Sequence, residues 1–314
     1  MKDKLSRFGY MLGRNIKVYF KDRLTFVFSL MTPLILVVLF LLFLRGVYED
    51  SLVNSLPEGF ELSKKVVNAF TGSWLFSSIM TTSCITIAFC SNMRIDDKLK
   101  KTLRGFEIAP ISKFSLSLSY TISNFITTLL ICTIVLVISF IYLAIVGWYL
   151  TFADVLIIVV DMLLTVIMGS LIISIVGIFI NSQGALSGIC TLVSSMYGFL
   201  CGAYMPISGM GKGIQNFVGF IPGTYSTVIF RQAYMNGILD EIGKDVPSQA
   251  VDAIRKGFDC EYYFFDNKVA TWVMYVVVIV TIVALLAIYL TLNLKVRHKS
   301  KQYVNAKSGA VKNQ

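Results

Sequence analysis

Charged side chains are scarce: Asp, Glu, Lys and Arg make up 15% of the 314 residues, against about 25% in soluble globular domains. A soluble chain of this length with 56% hydrophobic residues would expose more apolar surface than one core can bury. Histidine is nearly missing, with His298 the single example, and no HExxH, GxSxG or CxxC spacing occurs. These absences argue against zinc-hydrolase, serine-hydrolase and dithiol chemistry and leave no metal-ligand cluster. The nearest approach to a phosphate loop, SGMGKG at Ser208–Gly213, lacks the leading glycine and the Ser or Thr after Lys212. No catalytic residue, metal or cofactor is therefore expected on this chain. Six cysteines fall mostly within apolar runs, where a thiol behaves as a small apolar group; a Cys201–Cys260 disulfide is one alternative.

What the sequence has instead is long apolar runs. A membrane-crossing helix needs about 20 apolar residues, and six runs qualify: Val27–Leu44, Val66–Cys90, Phe114–Trp148, Val155–Ile180, Ala185–Tyr204 and Val269–Leu294. Their residues do not alternate in polarity as barrel strands do, so helices are expected. The first run starts late, is long and has no small-residue cleavage site before Arg45, so it reads as a retained span. The expected fold is an all-α integral membrane protein: a surface helix over 1–26, a six-span domain over 27–294 and a basic tail over 295–314.

Orientation follows from lysine and arginine. Seven precede the first span, six lie between Arg94 and Lys113, and six follow Leu294. Only Arg45, Lys64 and Lys65 fall between the first two spans, and six fall in the loop between Tyr204 and Val269. Both termini are thus expected in the cytoplasm of a cell, most simply at a bacterial plasma membrane. The net charge of +10 then reflects this bias and attraction to anionic lipid rather than a nucleic-acid partner.

Two cytoplasmic segments are patterned. In the first 23 residues, Leu5, Phe8, Leu12, Ile16 and Tyr19 recur at three- and four-residue spacing, with Arg7, Arg14, Lys17 and Lys21 on other faces. That predicts an amphipathic helix on the inner leaflet. Between spans two and three, Leu99, Leu103 and Phe106 repeat the pattern among Lys98, Lys101 and Arg104. This predicts one short amphipathic elbow helix stopped by Pro110, with Ser112 capping the third span. Asp161 sits about two turns into the fourth span, where a carboxylate must face protein or water. A structural hydrogen bond, or a role with substrate or proton, would each satisfy it.

The sequence DDKLKKTLRGFEIAPIS, with Asp96, Asp97, Thr102, Leu103, Glu107, Pro110, Ile111 and Ser112, resembles the loop after the second span of ABC-2 type exporter permeases. Lys101 stands where glycine is usual and Ala109 where threonine is usual. A second match is LCGAYMPISGMGKGIQNFVGFIPGTYSTVIFR, in which Gly202, Pro206, Pro222, Tyr225 and Arg231 carry the likeness and Ile221 replaces the usual asparagine. The tripeptide TPL at Thr32–Leu34 also fits. The resemblance implies a permease that works as a dimer, with a second copy or a homologous permease, beside separate ATP-binding subunits that hold ATP and Mg²⁺. Asp97, Leu99, Lys101, Thr102, Leu103, Arg104, Phe106, Glu107 and Pro110 would form the ATPase-coupling elbow. Pro206, Pro222, Tyr225 and Arg231 would build a reentrant hairpin, entering helically and ending at the arginine. Asp161, Ser195, Met196, Phe199 and Gly202 are candidates for the transport path or dimer seam, since the fifth span is rich in small residues that let helices approach. The implied function is export of an amphipathic drug, antimicrobial peptide or lipid-like substrate. An ATPase-independent secondary transporter or channel is the alternative; it would favour matched interrupted helices in two halves, and Asn181–Gly184 offers no counterpart to the charged elbow.

Overall fold

In the computed structural model the backbone of residues 2–57, 60–108 and 112–312 is described, with side chains for 6–31, 33–40, 42–57, 60–103, 105–106 and 112–294. The chain is almost entirely helical. Helix α1 (Lys2–Lys21) leads into α2 (Arg23–Leu39), which passes through a five-residue π segment, Phe40–Leu44, into α3 (Arg45–Asn54). Then come α4 (Lys64–Cys90), the short α5 (Met93–Leu99) and α6 (Thr102–Ile108), α7 (Lys113–Val146), α8 (Phe152–Phe179) and α9 (Gln183–Leu200). A 3₁₀ turn at Ile207–Gly209 precedes α10 (Lys212–Val218), α11 (Pro222–Ile242) and α12 (Ser248–Gly257). A two-stranded hairpin, β1 (Tyr263–Phe264) antiparallel to β2 (Asn267–Lys268), pairs Tyr263 with Lys268 and leads into α13 (Thr271–Lys312).

The starts of these helices are written locally. Ser63, Asn92, Ser112 and Ser182 accept hydrogen bonds from backbone N–H groups in the first turns of α4, α5, α7 and α9, and Ser112 does so as expected. Thr151 and Asp154 form a reciprocal capping box on α8. Pro222 opens α11, where its missing N–H costs nothing.

Helix α4 is the central post, buried at every position from Ala69 to Phe89. It packs most extensively on α11, α7 and α8. Five of its hydroxyls are satisfied within the helix: Ser77, Ser78, Thr81, Thr82 and Thr86 each donate to a carbonyl three or four residues back, at 2.6–3.1 Å. This removes the cost of polar groups in a dry interior. Around the post, α2, α7, α8 and α13 turn large apolar side chains outward, among them Val38, Ile141, Val160 and Val280, a surface suited to lipid.

Among the described residues, five helical stretches are long and apolar enough to cross a membrane: Arg23–Asn54, Lys64–Leu99, Lys113–Val146, Phe152–Phe179 and Thr271–Leu294. Six spans were expected. The difference is the run Ala185–Tyr204, whose helix α9 has only 18 residues, or about 27 Å at 1.5 Å per residue, and is diluted by glycine and serine. The elbow also departs from expectation. It is two helices rather than one, broken where Lys101 takes a left-handed φ of 62°. The helix entered at Pro222 does not end at Arg231 but continues to Ile242, buried on nearly all sides. Residues 295–312 continue α13 without a break.

Candidate functional site

The elbow is fixed by α1 and by the start of α7. On α1 the buried line is Met11, Asn15 and Tyr19, with Phe8, Leu12 and Ile16 half-buried beside it. The amphipathic face is present, rotated toward Met11 because α1 lies against α7 as well as the bundle surface; Leu5 falls outside the described side chains. Tyr19 shares a 2.6 Å hydrogen bond with Ser29 of α2 and accepts one at 3.1 Å from Ser91 at the end of α4.

One turn earlier, Arg14 reaches the elbow. Its Nη1 donates to Asp97 Oδ2 at 2.6 Å, and Tyr120 of α7 donates to the same oxygen at 2.6 Å. The guanidinium lies 4.9 Å over the Phe106 ring of α6. Met11, Leu116 and Tyr120 form a small core closed by Leu103 and Phe106. The Asp97 bond holds the Arg14 guanidinium even more firmly protonated than usual. So α1, α5, α6 and α7 meet at one carboxylate that is only 7% exposed.

Two basic residues of the elbow also turn inward. Lys98 Nζ donates to the carbonyls of Ile180 and Ile178 at 2.7 and 3.0 Å, capping the last turn of α8. Arg94 donates to Ser117 of α7 at 2.9 Å. Lys98 is therefore committed within the chain rather than part of a free positive field. Leu99 packs on a different cluster, with Ile95, Ile180 and Leu186, while Leu103 and Phe106 join Met11 and Tyr120. The left-handed Lys101 swings α6 away from the line of α5, so the even spacing of Leu99, Leu103 and Phe106 does not make one face. Lys100, Lys101, Thr102 and Gly105 remain exposed. The side chains of Arg104 and Glu107, and Pro110 altogether, lie outside the described residues.

A second feature lies between α2 and α9. A groove of about 730 Å³ has an apolar wall from Ile35, Leu36 and Leu39, and a wall of α9 carrying Thr191, Ser195 and Phe199. Of the path candidates, Ser195 and Phe199 line it; Met196 is exposed beside it, half its surface free. A Cβ at Gly184 or Gly188 on α9 would meet nothing within 4 Å, so packing among the described residues does not explain these glycines. Asp161 is elsewhere, in the interior with 0% exposure.

The third feature ties the turn after α9. Gly202 takes φ +73° and closes α9 in a Schellman turn, with Ala203 N–H donating to Gly198 O at 2.8 Å and Gly202 N–H to Phe199 O at 3.2 Å. A Cβ at Gly202 would fall 2.4 Å from Ile207. The carbonyl of Gly202 accepts a 2.6 Å bond from Arg231, which is 0% exposed, pairs with Asp259 at 3.1 Å and lies 4.8 Å from the Trp74 ring of α4. Asp259 also accepts from the backbone N–H groups of Ile207 and Ser208. Burial pushes its carboxyl up, and Arg231 and those N–H groups pull it back. The first amide of the glycine-rich stretch, that of Ser208, and the Ile207 amide before it are thus taken by a carboxylate. Pro206 leads into the 3₁₀ turn, and Tyr225 donates to Gly219 O at 2.7 Å, closing the bend between α10 and α11. Cys201 and Cys260 are free thiols; Cys260 contacts Met235 instead.

Sequence reasoning singled out the elbow segment, Ser195 and Phe199 of the groove, and Gly202, Pro206, Tyr225 and Arg231 about the turn after α9. It missed Arg14, Tyr120, Trp74 and Asp259 as partners, because Arg14 and Tyr120 lie 83 and 23 residues from Asp97, Asp259 lies 28 residues from Arg231, and Trp74 lies on a different helix from Arg231. No short-range pattern marks such pairs.

A bundle of membrane-crossing helices with a braced, partly basic elbow between its second and third long helices defines a multi-pass membrane protein. The chain belongs to the ABC-2 type transporter family, whose model matches residues 6–235. No curated protein matches the chain. The family is the permease portion of ABC transporters, is not itself catalytic, and implies association with ABC ATP-binding subunits.

Proposed function

We propose that this permease subunit moves an amphipathic substrate, such as a drug, an antimicrobial peptide or a lipid-like molecule, out of the cell. It does so as a dimer bound to separately encoded ATP-binding subunits, which hold ATP and Mg²⁺. The observation that carries this reading is the braced elbow: α5 and α6 are held by Arg14, Tyr120 and Lys98 while Lys100, Lys101, Thr102 and Gly105 stay exposed. A rigid knob with one free face transmits a push; a loose loop would absorb it. The charge bias along the sequence supports a cytoplasmic elbow and cytoplasmic termini. Helix α9 is assigned as the sixth crossing, completed by the turn that follows it. Its unfilled small-residue face around Gly184 and Gly188 suits close approach by a second permease copy, and the groove beside it suits an apolar substrate with a few hydroxyl contacts.

The test is reconstitution with the ATP-binding subunit in lipid vesicles. Substrate-stimulated ATP hydrolysis and ATP-dependent substrate movement are expected, and Thr102→Trp on the free face should abolish the stimulation while the permease remains folded. Substrate movement driven by an ion gradient without ATP would overturn the reading in favour of a secondary transporter.

A further inference from the structure

Arg94, on α5, is a half-buried cation that the fold does not neutralise. Its Nη1 donates to Ser117 of α7 at 2.9 Å, its one hydrogen bond among the described residues. Asp97, one turn further along α5, is taken by Arg14 and Tyr120. None of the ion pairs among the described residues includes Arg94 or Lys113.

These two cations share a cavity. Lys113 lies one turn before Ser117 on α7, on the same helix face, and both line one small cavity with Arg94. Leu103 of α6 and Asn293 of α13 help to close it. Its volume is about 50 Å³, which suits a single small polar group. The guanidinium is positioned rather than loose. Ser117 shares a 2.8 Å hydrogen bond with Tyr289 of α13, and Thr121 donates to the same Tyr289 hydroxyl at 3.0 Å. Nη1 is thus anchored, while Nε and Nη2 donate to nothing among the described residues.

The surroundings say what the cavity takes. A cation drawn part-way out of water gains most from an anion that accepts several of its N–H groups. A guanidinium edge matches two oxygens of a phosphate, and an ammonium beside it adds a second charge. The cavity lies at the elbow end of the bundle, beside apolar outer surface: on α13, Leu286, two turns before Asn293, and Leu294, next to it, are both exposed. Basic pockets between membrane helices at this level fit lipid headgroups.

We propose that Arg94, positioned by Ser117, and Lys113 bind a phosphate group, supplied by an anionic lipid of the leaflet beside the elbow. Nε and Nη2 of Arg94 donate to two phosphate oxygens, Lys113 offers its ammonium, and the acyl chains run along α13. Bound there, the headgroup ties α5 to α7 and α13. The site does not depend on the transport reading.

The test is the thermal midpoint of the full-length protein in non-ionic detergent. It is titrated separately with dioctanoyl-phosphatidylglycerol, dioctanoyl-phosphatidylcholine and inorganic phosphate, since a ligand of the folded state raises the midpoint in proportion to its occupancy. Saturable stabilisation by phosphatidylglycerol alone is expected. Arg94→Gln should weaken that response about tenfold, the loss of a charge-assisted contact. Lys17→Gln, which removes one exposed charge from α1, should leave it unchanged. Should Arg94→Gln fail to fold, Lys113→Gln, at an exposed position, carries the same expectation. An undiminished response in the folded variant would overturn the proposal. So would an equal loss in Lys17→Gln, which would assign the effect to diffuse surface charge. Inorganic phosphate as effective as the lipid would overturn the lipid assignment and make this a site for a free anion.

Discussion

At Lys101 the backbone adopts a conformation that L-residues enter at a cost of roughly 1–2 kcal/mol and glycine enters freely. The side chain is exposed, so nothing is lost by removing it. Lys101→Gly is expected to raise stability by about 1 kcal/mol, less than the full cost because glycine also loosens the unfolded chain; thermal unfolding in detergent reads the shift. Gly202 is the reverse case. Its φ of +73° and the nearby Ile207 side chain leave no room for a methyl group. Gly202→Ala should lower the unfolding midpoint by the equivalent of about 1–2 kcal/mol or more, and should weaken the Arg231 contact that its carbonyl makes. Arg14→Ala removes the cation from a nearly buried carboxylate, leaving Asp97 with Tyr120 alone. A loss of about 1–3 kcal/mol is expected, with faster proteolysis at the elbow. Unchanged protease sensitivity would show that α1 does not brace α5.

Among the elements, those with strong apolar content were legible. The runs that became α2, α4, α7, α8 and α13 stand out because lipid imposes length and composition together. Helix α11 was not legible as a buried helix of 21 residues. Its Thr224, Thr227 and Arg231 are polar, and only their burial against α4 and α8 reveals that their hydrogen bonds are internal. The elbow was legible as helical and amphipathic but not as two pieces, since a left-handed lysine has no signature of its own. The residues proposed for coupling stand out as a segment; that Asp97, Leu103 and Phe106 turn into the protein does not, because Arg14 is 83 residues away from Asp97. Helix α9 was legible as rich in small residues, and its geometry gives a prediction. Gly188 has open space where a Cβ would be, so Gly188→Leu should leave the fold and its thermal midpoint unchanged. If α9 is the dimer seam, the same change should reduce the dimer fraction measured by light scattering in detergent. A midpoint lowered by several degrees with the dimer intact would place that face inside the subunit.

In the whole molecule, α4 packs against α2 and α9, which flank the groove, and against α7, α8 and α11. In the proposed function, energy enters at the elbow and a path opens beside α9. The resemblance-based assignment of Glu107 belongs here: Glu107→Ala should weaken docking of the ATP-binding subunit, whereas Lys100→Ala should not, since one exposed charge contributes about 0–1 kcal/mol. Co-purification of the two variants compares them directly. The central claim is that the ATP-binding subunit sits on the exposed face of α5 and α6. Single cysteines at Thr102 on that face and at Lys244, beyond the far end of α11, test it by crosslinking in membranes that also contain the ATP-binding subunit. The account predicts a crosslinked product from Thr102→Cys and none from Lys244→Cys. A product from Lys244→Cys with none from Thr102→Cys would contradict it.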